Sequence, residues 1–114
     1  MRALIQERPQ APLVLQDVPA PAVGPREALV RVRACGVCHT DLHLAEGLFK
    51  TFGYDPFPLV PGHEIAGVVE EVGRDVTHVR PGDRVAVYWW HSCGRCRCCL
   101  AGEEESCLEG LAEM

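Results

Sequence analysis

Five of the chain's seven cysteines, Cys93, Cys96, Cys98, Cys99 and Cys107, fall within 15 residues. Clustered thiols in a reducing compartment are metal ligands or redox groups rather than structural disulfides. Cys93, Cys96, Cys99 and Cys107 are separated by two, two and seven residues. Four thiolates from so short a loop can close a tetrahedron around one Zn²⁺. Gly94 and Gly102 let the backbone curl around the ion. A four-sulfur site leaves no position for water, so it is structural. An iron–sulfur cluster is the main rival. The first three cysteines fit a C-x2-C-x2-C run, but the fourth comes seven residues on and no proline follows it. Free core cysteines would need an apolar surround, and the neighbours here are Arg95, Arg97 and Glu103 to Glu105. The spacing favours zinc, with Cys98 as a spare thiol.

A second group lies upstream. Cys35-Gly36-Val37-Cys38-His39-Thr40-Asp41-Leu42-His43 packs two thiols, two imidazoles, a hydroxyl and a carboxylate into nine residues, and Gly62-His63-Glu64 follows later. Thiolate and imidazole are zinc ligands, and a carboxylate commonly holds the second nitrogen of a ligating imidazole. On spacing alone a redox pair at Cys35 and Cys38, or a purely structural His63, remains open.

These groups need a scaffold, and the pattern reads mostly as short strands. Ala3 to Gln6 and Leu13 to Val18 are brief apolar stretches with Pro9 and Pro12 between them. From Ala28 to Ala34, Val30 and Val32 alternate with Arg31 and Arg33, the period-two pattern of a half-buried strand. His39 to Glu46 fits two turns of helix with Gly47 as the stop. Phe49 to Pro61 holds Gly53 and three prolines and reads as a loop. Ile65 to Val72 is a long β-branched strand. Pro81-Gly82-Asp83 is a turn signal, and Arg84 to Trp90 reads as the next strand. Turns every 8–12 residues fit a small barrel or sandwich.

Composition narrows the classes. The 114 residues make one domain, and 47% hydrophobic content is enough for a core. Net charge is −5, with 11 basic and 16 acidic residues, which argues against a nucleic-acid partner. No apolar run reaches a membrane span and no signal peptide is visible, so the sequence predicts a cytoplasmic protein without a membrane partner.

Together these residues resemble the zinc-dependent medium-chain alcohol dehydrogenases. The resemblance rests on Cys35 to His43, then Pro61-Gly62-His63-Glu64 with Ala66-Gly67-Val68-Val69, then Gly73, Pro81-Gly82-Asp83-Arg84-Val85 and the cysteine lobe, in the family's order. It implies a mostly β fold with short helices, the GroES-like β-barrel domain of the family's N-terminal half, over residues 1–114 with the structural-zinc lobe at 91–108. It implies that Cys38 and His63 ligate a catalytic zinc, with Glu64 beside it. Asp41 would hold His63, Thr40 would accept the substrate proton, and His43 would pass it toward solvent. His39 would sit near the cofactor pyrophosphate. Trp89, and less directly Leu48 and Phe49, would line the substrate pocket. Cys93, Cys96, Cys99 and Cys107 would hold the structural zinc. The partners implied are two zinc ions per chain, NAD or NADP, a small alcohol or aldehyde, and further copies in a homo-oligomeric parent.

The sequence also departs from the family. No G-x-G-x-x-G occurs, since the glycines at 62, 67 and 73 have the wrong spacing. The third protein ligand of the catalytic zinc and the Rossmann nicotinamide-binding domain would lie downstream. The expectation is therefore the front part of a longer enzyme. On its own, this part would bind zinc without turnover. The alternative function is an iron–sulfur or redox carrier built on the cysteine lobe.

Overall fold

The structure, a computed structural model, describes residues 1–110. The last four residues of the expected 1–114 domain lie outside the described residues. Strands β1 (Arg2–Ile5) and β2 (Val14–Asp17) form an antiparallel ribbon. Strands β3 (Ala28–Gly36), β4 (Glu64–Val72) and β5 (Arg84–Ala86) form an antiparallel sheet in the order β3-β4-β5. Helix α1 (His39–Glu46) follows β3, a 3₁₀ turn spans Leu48–Phe52, and the cysteine lobe carries the single turn α2 (Arg97–Leu100) and a 3₁₀ turn at Glu104–Ser106.

The β3–β4 register is what matters for the site. Cys35 pairs with Ile65 and Gly36 with Glu64. The residues just past the end of β3 therefore sit beside those just before β4. A separation of 24 residues in sequence becomes adjacency in space.

Helix α1 runs where the sequence placed it. Its first turn is closed by reciprocal bonds: the Cys38 sulfur accepts from the Asp41 amide, and Asp41 Oδ2 accepts from the Cys38 amide at 2.9 Å. Gly47, with φ 83°, turns the chain out of the helix at no steric cost. Gln6, buried at 4% exposure, ties the ribbon to this helix. Its Nε2 donates to Ala11 O at 3.0 Å and to Ala45 O at 3.1 Å, and its backbone pairs with Leu59. One residue thus holds the helix through its side chain and the loop that leads to His63 through its backbone.

Strands outweigh the short helices among the described residues, as expected, but the two sheets do not close into a barrel. The core is thin, with Ala3, Val69, Cys98 and Cys107 as its buried apolar residues. The alternation in β3 does not produce the expected half-buried face. Val32 is 53% exposed, and irregularities at Leu29/Val30 and Val32/Ala34 break the register. The expected strand from Arg84 to Trp90 stops at Ala86. Only Ala66, Gly67 and Val68 of β4 pair with it, and strand-forming side chains without a partner strand do not hold a ladder. The expected loop from Phe49 to Pro61 begins inside the 3₁₀ turn, which Gly53 ends. No helix among the described residues is long and apolar enough to cross a membrane.

Candidate functional site

The cysteine lobe builds its site locally. The Sγ atoms of Cys93, Cys96, Cys99 and Cys107 all lie within 4.8 Å of one another. Cys96 and Cys99 sulfurs are 3.4 Å apart, and Cys93 and Cys99 are 4.0 Å apart. Tetrahedral zinc with Zn–S bonds of about 2.3 Å sets its sulfurs roughly 3.8 Å apart, and the two observed distances bracket that value. All seven cysteines are free thiols. Backbone amides already point at the sulfurs: Cys93 N donates to Cys107 Sγ at 3.3 Å, Cys96 N to Cys93 Sγ at 3.3 Å, and Cys99 N to Cys96 Sγ at 3.5 Å. Gly94 and Gly102, with φ of 68° and 79°, make the bends that allow this. An Arg95–Glu109 ion pair at 2.6 Å spans the lobe. Cys98 is buried and is not one of the converging four.

Charge distribution within the lobe suits a metal. The amides of Cys99 and Leu108 draw the Cys96 thiol down to about 6, and the amide of Cys93 lowers that of Cys107. Desolvation, followed by the bond to Cys96, pushes Cys99 up to about 12. The two touching sulfurs are thus shifted in opposite directions. A cation binding all four sulfurs would take the place of their protons. The donor set and its spacing fit zinc.

The second site is assembled from distant segments. Donor atoms of Cys38, His63 and Glu64 lie within 4.8 Å of one another. Cys38 caps α1, His63 ends the loop before β4, and Glu64 is the first residue of β4. Asp41 Oδ1 stands 3.3 Å from His63 Nδ1. That oxygen is buried and makes no well-directed hydrogen bond, so the imidazole is its electrostatic partner. With Nδ1 facing a carboxylate, Nε2 is left as the ligand atom. Bonds from the Thr40 amide and hydroxyl, then from His63, lower the Cys38 thiol. The bond to Cys38 is the main cause that raises His63, with Asp41 adding to it. The two shifts run in opposite directions, so each group favours the charged form of the other. This donor set fits zinc with a position to spare, as catalytic zinc requires.

Thr40 Oγ1 is 3.5 Å from Cys38 Sγ. His43 lies one turn further along α1, and its ring centroid is 4.6 Å from that of His39. Trp89 is 58% exposed and lies against Tyr88 and Trp90. Leu48 is exposed, and Phe49 packs edge-on against Tyr54. None of the three lines the apolar cleft of about 470 Å³ beside the site, whose walls include Leu13, Val37, Asp41, Leu42 and Pro61. Asp41 was legible in the sequence, but Leu13 and Val37 were not, because a lone apolar residue carries no chemical signal. Gln6 was missed for a similar reason, since nothing in a lone glutamine announces that it will be buried.

The sequence matches the family described as the alcohol dehydrogenase GroES-like domain over residues 24–113. It is 48% identical over 108 residues to an alcohol dehydrogenase of Geobacillus stearothermophilus, covering 94% of this chain and 32% of that protein. The fold resembles a cobalt- and zinc-bound thermostable alcohol dehydrogenase from Pyrobaculum aerophilum, with TM-score 0.85 and 41% identity over 96% of this chain and 32% of that one. It also resembles CAD from Helicobacter pylori complexed with NADP(H), with TM-score 0.79 and 33% identity over 95% and 30% of the two chains. The chain spans about a third of the length of the curated relatives it matches. None of these relatives supports the iron–sulfur or redox-carrier alternative.

Proposed function

The chain belongs to the alcohol dehydrogenase GroES-like domain family, and from that premise we propose that it is the N-terminal zinc-binding portion of an NAD(P)-dependent dehydrogenase that oxidises small alcohols to aldehydes or ketones. The convergence of Cys38, His63 and Glu64 beside the Thr40 hydroxyl carries this reading. In it, residues 1–114 form the domain, Cys93, Cys96, Cys99 and Cys107 hold a structural zinc, and Cys38, His63 and Glu64 offer a second. Zinc at the second site supplies Lewis-acid polarisation of the substrate oxygen.

The chain's own residues do the rest. Asp41 orients His63 and keeps Nε2 toward the site. Thr40 takes the hydroxyl proton of the alcohol. His43, three residues on and on the same side of α1, moves it to solvent. His39, exposed at the start of the helix, is placed for an anionic cofactor group. The nicotinamide-binding domain and a further ligand belong to the remainder of the parent, whose homo-oligomeric state is part of the same proposal. A reducing, cytoplasmic setting belongs to the same proposal, since thiolate ligands persist there as metal sites rather than disulfides.

The test is turnover. The isolated chain should oxidise no alcohol above background with NAD or NADP, because holding the hydride acceptor against the substrate supplies roughly 7–11 kcal/mol of the barrier. The full-length parent should turn over and Cys38→Ser should abolish it. Activity in the Cys38→Ser parent would overturn the assignment.

A further inference from the structure

Helix α1 carries two imidazoles four residues apart, His39 and His43, on one face. Neither belongs to the ligand groups at Cys38 or in the cysteine lobe. His39 is exposed and His43 is half-buried with its ring against that of His39. Two histidines at this helical spacing are a known way to present both nitrogens to one ion. Metal–nitrogen bonds of about 2.1 Å, meeting at a right angle, set the two ring centroids roughly 4.5 Å apart. The rings here are 4.6 Å apart, tilted by 37°. The pair thus already has the separation that cis coordination needs, and the helix that holds it is capped at both ends by its own hydrogen bonds.

We propose that His39 and His43 form a separate two-imidazole site for a nitrogen-preferring divalent transition ion of the nickel or copper class. The 4.6 Å ring separation matches a right-angle pair, and such a pair suits ions that favour tetragonal or octahedral coordination, with water completing the shell, over tetrahedral zinc. Occupancy would withdraw both imidazoles at once. Resting on the roles proposed for His39 and His43, such an ion would inhibit the parent by blocking the anionic cofactor group and the proton path together, without displacing zinc.

The test uses the 114-residue chain saturated with zinc, titrated with Ni²⁺ and followed by calorimetry and absorption. Nickel is the probe because Cu²⁺ would oxidise the thiols. One equivalent should bind without an intense thiolate-to-nickel absorption band. His39→Gln and His43→Gln should each weaken binding at least tenfold, with helix content by circular dichroism unchanged, and His78→Gln should leave it as it was. Absent binding, binding indifferent to either substitution, or a thiolate band would overturn the proposal. Zinc content measured on the same samples reads the zinc assignment independently.

Discussion

The two clusters reach the same kind of chemistry by opposite routes. The lobe gathers four sulfurs from 15 consecutive residues, and its own backbone amides pre-arrange them. The upstream site gathers one sulfur, one imidazole and one carboxylate from two segments that only the β3–β4 register brings together. The local set is complete and closed. The distant set offers three donors. On the proposed function, completeness makes the first a structural site and openness makes the second a catalytic one.

The comparison breaks most visibly if one lobe ligand is removed. Cys107→Ser should cost the lobe its metal and its order while the Cys38 site keeps its own. Structural zinc in small peptides contributes about 10–16 kcal/mol of binding, far more than the few contacts around α2 can replace. Zinc stoichiometry falling from two to one per chain, with local loss of dispersed amide resonances between residues 91 and 110, is the expected outcome. An unchanged stoichiometry would mean that Cys98 substitutes.

Asp41→Asn should produce a smaller effect confined to the other cluster. It removes the charge facing His63 Nδ1 and weakens the bond that Asp41 Oδ2 accepts from the Cys38 amide. Loss of such a supporting carboxylate typically costs 10–100-fold in metal affinity. Competition with a chromophoric chelator should show that drop at the upstream site and none at the lobe.

The smallest effect is one of pH. Cys96 in the metal-free chain titrates at about 6, below its usual 9.0. Its thiolate, the nucleophilic form, should therefore appear as pH rises through about 6 and disappear as pH falls below it. Iodoacetamide followed by peptide mapping should label Cys96 near neutral pH well before Cys99, whose thiol is pushed up to about 12. The ordering should vanish when zinc is bound.

The same contrast explains what was legible in the sequence. The lobe could be read from spacing because its geometry is local. Helix α1 could be read because Gly47 ends it and a polar first turn begins it. The meeting of Cys38 with His63 followed from resemblance, since register is a property of two strands and is written in neither. Val87, Tyr88, Trp89 and Trp90 have strand-forming side chains, yet β5 ends at Ala86. Val32 shows the same cause: alternation marks a face able to be buried, but burial needs something to cover it.

The central claim is that the chain holds one closed four-sulfur site and one open mixed site. Titrating Co²⁺ into the metal-free, reduced chain tests it directly, because cobalt reports thiolate number through its charge-transfer absorption. The account predicts two equivalents. The first should give a strong four-thiolate tetrahedral spectrum. The second should give a weaker one-thiolate spectrum that a mild chelator removes first and Cys38→Ser abolishes. A single equivalent, or a first ion whose spectrum depends on Cys38, would contradict it.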